Sequence, residues 1–120
     1  QYLPFDELIA TADFISMHIP ATADGKPVIG AKELAAMKPG VRIVNCARGN
    51  LVEEKALLEA LNSGQVAACA LDVFQNEPTP DPELLNHPYV SVTPHIGAQT
   101  VEAQTRIGLE LVDVVRNFFK

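Results

Sequence analysis

Positive charge is scarce in this 120-residue chain: nine Lys and Arg stand against fifteen Asp and Glu, for a formal net charge of −6. Without a basic patch, nucleic acid and anionic membrane surfaces are excluded as main partners. Cysteine is scarce too. Cys46 and Cys69 each stand alone in an apolar stretch, which leaves no disulfide framework and no zinc knuckle. Both are expected to be small core hydrophobes. No apolar run approaches the ~20 residues needed to span a bilayer. Residues 1–20 lack the charged start and long apolar stretch of a secretory signal, so a cytoplasmic location is expected. The seven glycines, at positions 25, 30, 40, 49, 64, 97 and 108, nowhere form GxGxxG. The phosphate-cradling turn of a dinucleotide site is therefore missing, as is the acidic ribose partner about 20 residues beyond it. HxxxH and HxH spacings are absent as well, which argues against a metal held by His18, Asp72, Glu77 and His95 in a hydrolase.

What is present is a core and a regular order of elements. Hydrophobic residues make up 48% of the chain, and no repeat, linker or low-complexity tract interrupts it. Asp6 to Ala12 has helical spacing behind Pro4, and Phe14 to Ile19 is a short apolar run stopped by Pro20. Ala31 to Met37 is a short helix closed by Lys38-Pro39-Gly40. Val41 to Ala47 is a second apolar, β-branched run. Asn50, three residues before Glu53, is placed as the N-cap of a capping box opening the next helix, which Gly64 closes in a left-handed cap. Val66 to Val73 is the third run. A proline-rich loop from Pro78 to Pro82 and a short helical turn precede the fourth, Tyr89 to Thr93. Four apolar runs alternating with helices predict strands buried on both faces, hence a doubly wound α/β unit with a parallel sheet of about four strands. The last helix, about Thr100 to Lys120, carries two apolar stripes. Ile107, Leu111, Val114 and Phe118 form one; Val101, Gly108, Val112, Val115 and Phe119 form the other. One stripe suffices to cover a sheet, so the second predicts a partner subunit or a further domain packed on this helix.

Ligands of open parallel sheets bind outside the carboxyl ends of the strands. Each apolar run here ends near a chemically active side chain: His18, Arg48, Asp72 and His95, with Glu77 five residues after Asp72. Taken singly, each has a plain reading. Arg48 serves as a surface ion pair, Glu77 as a loop charge, His18 as a packing histidine and His95 as a helix flank; Asp72 is harder to dismiss inside an apolar run. As a set they fit carbonyl/alcohol redox chemistry. A histidine held by a carboxylate, as His95 by Glu77, can donate a proton to a carbonyl oxygen and take it back. A guanidinium such as Arg48 grips a substrate carboxylate bidentately and polarises the carbonyl beside it. Asp72 can accept from the carboxamide of a nicotinamide ring. None of these groups donates a hydride, so a nicotinamide cofactor is required.

Three segments carry a family resemblance over essentially the whole chain. Asn45-Cys46-Ala47-Arg48-Gly49-Asn50-Leu51-Val52-Glu53-Glu54, followed by Ala56-Leu57, resembles the NxxRGxxVDExAL stretch of the D-isomer-specific 2-hydroxyacid dehydrogenases. Asp72-Val73-Phe74-Gln75-Asn76-Glu77-Pro78 resembles their DVFxxEP motif, and Thr93-Pro94-His95-Ile96-Gly97 with Thr100 their TPHIGxxT motif. Met17-His18-Ile19-Pro20 is similar to their strand-ending HxP. Glu53 stands where Asp is usual, and Thr22 to Lys26 departs from the common TxxT loop. Within the family, Pro94 to Gln104 looks most like the D-3-phosphoglycerate dehydrogenases. The resemblance implies NAD as cofactor, a 2-hydroxy or 2-keto acid as substrate, His95 as acid/base, Glu77 as its orienting carboxylate and Arg48 as substrate anchor. It also implies that Asp72 binds the nicotinamide carboxamide and that Cys46, Ala47, Gly97 and Ala98 line the ring and ribose. His18, Ile19 and Pro20 would lie near the adenine. Residues 1–120 then read as a single unit, the C-terminal half of a Rossmann NAD-binding domain, inactive alone. The competing expectations are a non-catalytic flavodoxin-like half-fold that folds or self-associates without turnover, and a family member acting on glycerate, lactate or a similar acid.

Overall fold

The computed structural model describes residues 2–120. Its elements are α1 (Phe5–Thr11), β1 (Phe14–Met17), α2 (Ala31–Ala36), β2 (Val41–Asn45), a single 3₁₀ turn (Gly49–Leu51), α3 (Glu54–Ser63), β3 (Val66–Leu71), α4 (Pro82–Leu85), β4 (Val90–Val92) and α5 (Val101–Phe118). The four strands form one parallel sheet in sequence order, β1-β2-β3-β4. The α/β class, the parallel sheet and the half-Rossmann arrangement are as expected.

The register builds the core in rows. Ile15, Ile43, Cys69 and Val90 are successive neighbours across the strands, as are Met17, Asn45, Leu71 and Val92. Ile43, Leu51, Leu57 and Val66 are fully buried, and each such side chain contributes about 1.5–3 kcal/mol relative to exposure. Gln65 fastens α2 to β3, its side-chain amide donating to the Leu34 and Met37 carbonyls at 2.9 and 2.8 Å. At this helix end the Leu34 carbonyl otherwise accepts only the Met37 amide at a long 3.3 Å, so the Gln65 amide completes the bonding that a helix C-terminus leaves short.

The covering of the sheet differs from expectation. Along β1 and the start of β2, exposed and buried residues alternate strictly, so one face is packed and the other open. Phe14, 68% exposed, lies on that open face beneath the Arg42 guanidinium, which sits 5.3 Å from its ring centroid. The reason is topological. Right-handed crossovers between strands in sequential order deliver every connecting helix to the same face, and winding on both faces requires a reversal of strand order.

Two local expectations also change. Asn50 does not cap a helix: it lies in the 3₁₀ turn, and α3 starts at Glu54 with Glu53 in the N-cap position. Val52 is drawn into a parallel bridge with Ile29, the Leu51 carbonyl accepts the Val28 and Ile29 amides, and the Glu53 amide donates to the Ile29 carbonyl. Extended pairing there postpones the helix. Gly64 does adopt the left-handed conformation at the end of α3, with φ 79°. The second change concerns α5, which buries neither of its stripes: Ile107, Leu111, Val114, Val112, Val115, Phe118 and Phe119 are all exposed. The radius of gyration is accordingly 16.9 Å, against about 14 Å for a compact domain of this length. Among the described residues no helix is long and apolar enough to cross a membrane.

Candidate functional site

The site is built at the carboxyl ends of β2, β3 and β4, and its centre is Asp72. This carboxylate is 3% exposed at the end of β3, where it gathers the loop that follows β4. Oδ1 accepts from the Thr93 hydroxyl and, at 2.9 Å, from the Ile96 amide; Oδ2 accepts the Gly97 amide at 3.0 Å. Burial pushes the Asp72 carboxyl up, but the Thr93, Ile96 and Gly97 hydrogen bonds and the nearby His95 together outweigh it and hold the group below its ordinary value. The loop it organises places His95 at φ 54°, a left-handed conformation uncommon for non-glycine residues and frequent where a side chain is held for function.

His95 meets Glu77 there. Its Nδ1 lies 2.7 Å from Glu77 Oε2, and Glu77 Oε1 accepts the Phe74 amide at 3.0 Å. The His95 bond, then the Phe74 amide, hold the Glu77 carboxyl below its ordinary value. An ionised Glu77 makes Nδ1 the donor, which leaves Nε2 as the free, exchangeable nitrogen. Gln99 Nε2 donates to the His95 carbonyl at 2.9 Å and Gln104 Nε2 to the Ala98 carbonyl at 2.7 Å, tying the same loop to the start of α5.

Arg48 leaves the end of β2 in an extended conformation (φ −146°, ψ 140°) and is exposed. Its Nη1 donates to the Ala47 carbonyl at 2.6 Å, and among the described residues it forms no ion pair. The reading of Arg48 as a surface salt bridge is therefore set aside; most of its donors face solvent on the rim that carries His95. Two cavities open on this rim. One, about 230 Å³, lies between the ends of β2, β3 and β4 against Cys46, Leu71, Asp72 and Thr93. The other, about 380 Å³, flanks the Glu77–His95 pair along Phe74, Pro78, Leu85 and Pro94.

Some residues fall elsewhere than expected. Cys46 is exposed, not a core hydrophobe, because it stands one residue past the end of β2; Cys69 is buried, and burial pushes its thiol up to about 12. His18 lies beyond the end of β1, its Nε2 2.7 Å from the Ser16 hydroxyl, with exposed Ile19 and Pro20 following. It joins neither Glu77 nor His95, and among the described residues no group of three or more His, Cys, Asp or Glu side chains has metal-binding geometry. Sequence inspection gave Asn45, Thr93 and Glu54, which stand within the family motifs, no role in the site. Thr93 bonds Asp72, and Glu54 Oε1 accepts the Gln75 amide at 2.7 Å. Burial raises the Glu54 carboxyl, a trend that the Gln75 amide opposes. A buried polar residue ending an otherwise apolar run was the available signal for Asn45; for Glu54 there was none.

The pKa directions fix an acid response. Asp72 and Glu77 titrate lower when folded, so the stability they contribute is present above the ordinary carboxylate range and is lost as pH falls through their folded values. Glu54, held above its ordinary value, acts in the opposite sense. With two lowered carboxyls against one raised, unfolding free energy by denaturant titration is expected to decline below about pH 4. In Asp72→Asn one acceptor becomes a donor facing other donors, which lowers stability by about 1–3 kcal/mol at neutral pH. A flat profile below the ordinary carboxylate range contradicts this.

The sequence matches the family model described as "D-isomer specific 2-hydroxyacid dehydrogenase, NAD binding domain" over residues 1–97. It is 46% identical over 116 residues to the D-3-phosphoglycerate dehydrogenase of Bacillus subtilis, covering 97% of this chain and 22% of that protein. To the hydroxypyruvate reductase of Thermotoga maritima it is 47% identical over 118 residues, 96% of this chain and 39% of the relative. The crystal structure of a glyoxylate reductase from Paecilomyes thermophila superimposes with a TM-score of 0.91 at 48% identity, over 97% of this chain and 35% of that one. The chain thus spans between about a fifth and two fifths of the length of these proteins.

Proposed function

Because this chain belongs to the D-isomer-specific 2-hydroxyacid dehydrogenases, through the NAD-binding domain of that family, we propose that it is the C-terminal half of such a domain in a longer enzyme. That enzyme interconverts a D-2-hydroxy acid and its 2-keto acid with NAD. The observation that carries the reading is the 2.7 Å His95–Glu77 pair on the same strand-end rim as Arg48, which forms no ion pair among the described residues.

The chain's groups suit NAD at one end only. The 230 Å³ cavity, lined by Cys46, Leu71, Val92 and Thr93 beside Asp72, has an apolar wall that suits a flat nicotinamide ring. Asp72 is assigned to the carboxamide, and Cys46, Ala47, Gly97 and Ala98 to the ring and ribose. His18, Ile19 and Pro20, at the other edge of the sheet, are assigned to the adenine side. The pyrophosphate cradle is absent from the sequence, so these 120 residues alone are expected to be inactive. When bound, the nicotinamide supplies the hydride.

The remaining work falls to three side chains. Arg48 clamps the substrate carboxylate and withdraws charge from the neighbouring carbonyl. His95 Nε2 donates a proton to the carbonyl oxygen during reduction and recovers it during oxidation. Glu77 fixes the imidazole orientation and stabilises its charged form through Nδ1. Within the family, 3-phosphoglycerate and 3-phosphohydroxypyruvate of serine biosynthesis are the favoured pair, supported by the Pro94 to Gln104 run and by the Bacillus relative. Glyoxylate, hydroxypyruvate, glycerate or lactate chemistry is the second reading, favoured by the hydroxypyruvate and glyoxylate reductases. The exposed stripes of α5 are assigned to the rest of the polypeptide or to a second subunit.

The test is Glu77→Gln in the enzyme that contains this segment. The charged imidazole loses the carboxylate facing Nδ1, so the pH at which keto-acid reduction falls off is expected to move downward, with NADH affinity changed by no more than about twofold. An unshifted pH profile removes the pair from the mechanism.

A further inference from the structure

Asn45 is the polar member of the row formed with Met17 and Leu71, and it is 1% exposed. Both polar atoms of its side chain are engaged, as is its main-chain carbonyl. Its Nδ2 donates to the Arg48 carbonyl at 2.9 Å and its Oδ1 accepts the Ala47 amide at 3.1 Å; its main-chain carbonyl accepts the Asp72 amide at 3.0 Å. A buried amide side chain is costly unless bonded, and here both side-chain bonds go to the short turn from Cys46 to Arg48. The next residue closes the other side of that turn. Gly49 lies so near the backbone after β3 that a Cβ on it would come within 1.9 Å of the Phe74 carbonyl oxygen. The turn is held by Asn45 from beneath and by the Phe74 backbone from the side, and Arg48 is its only charged side chain.

We propose that Asn45 is a positioning residue for Arg48: by fixing the Ala47 amide and the Arg48 carbonyl, it sets the direction in which the guanidinium reaches the substrate carboxylate. This rests on Arg48 being the substrate anchor. Asn45 itself touches neither substrate nor cofactor. Loosening the turn lets the guanidinium sample directions in which the carboxylate is gripped singly, and a misplacement of about 1 Å can cost on the order of a hundredfold in rate.

The test is a double-mutant cycle in the enzyme that contains this segment, with Asn45→Ala, Arg48→Ala and the pair, reading KM for the 2-keto acid, kcat, and NADH affinity separately. Asn45→Ala is expected to raise KM roughly tenfold to a hundredfold with a smaller fall in kcat and NADH affinity within about twofold. In the Arg48→Ala background it should add nothing further, because the group it positions is gone. If Asn45→Ala lowers kcat/KM by the same factor in both backgrounds, its role is only structural and the proposal falls. If Arg48→Ala raises KM and Asn45→Ala does not, the anchor stands and the positioning role falls. If Arg48→Ala leaves KM unchanged, the anchor is wrong and this role goes with it. Should Asn45→Ala not yield folded enzyme, Asn45→Asp goes through the same cycle. It keeps an acceptor for the Ala47 amide and loses the donor to the Arg48 carbonyl, so the same pattern is expected.

Discussion

In the dehydrogenase carrying this segment, His95→Asn is expected to lower kcat for keto-acid reduction by roughly a hundredfold to ten-thousandfold, the range for loss of a general acid. Asparagine is the informative replacement. It tolerates the left-handed φ of 54° that this position holds, so the loop gathered by Asp72 survives and the defect is confined to proton transfer. NADH affinity and the melting temperature should therefore stay near wild type. Retention of most of the activity would remove His95 from the chemistry and leave the Glu77 contact as a surface ion pair, which is worth little.

Gly49→Ala should damage the fold more than alanine at any other glycine. The added Cβ would lie 1.9 Å from the Phe74 oxygen and 2.1 Å from its carbonyl carbon, and both are main-chain atoms that cannot rotate away. One of the two segments must move, at about 3 kcal/mol, the upper end for overpacking. Either displacement also separates Arg48 from the loop bearing Glu77, so stability and substrate affinity are expected to fall together. Denaturant unfolding checks the first and KM for the keto acid the second. A variant as stable as wild type would mean that the two backbones are not pressed together.

Strand positions were legible because buried parallel strands are runs of apolar, often β-branched residues, and Val41 to Asn45 and Val66 to Leu71 are of that kind. The rim followed from the order of those runs: once the strands are parallel, what comes after each one shares an edge, and so His95 meets Glu77. Other features depend on contacts that no local pattern encodes. Asn50 and Glu53 have the spacing of a capping box, yet pairing between Val52 and Ile29 decided the matter against them. Cys46 sits in an apolar stretch and becomes exposed because β2 ends one residue earlier. Phe14 and the stripes of α5 are as hydrophobic as core residues, and composition cannot say which apolar side chains find a neighbour within these 120 residues. Gly49 and Glu54 are long-range features, set by where the Phe74–Gln75 backbone happens to pass.

The most direct measurement is NADH formation by the longer enzyme when supplied with NAD and each enantiomer of a panel of 2-hydroxy acids, 3-phosphoglycerate among them. Oxidation of D-enantiomers alone, with KM for the 2-hydroxy acid strongly raised by Arg48→Ala, is the predicted result. Oxidation of the L-enantiomer, or no oxidation of any 2-hydroxy acid, would contradict the assignment of His95, Glu77 and Arg48 to this chemistry.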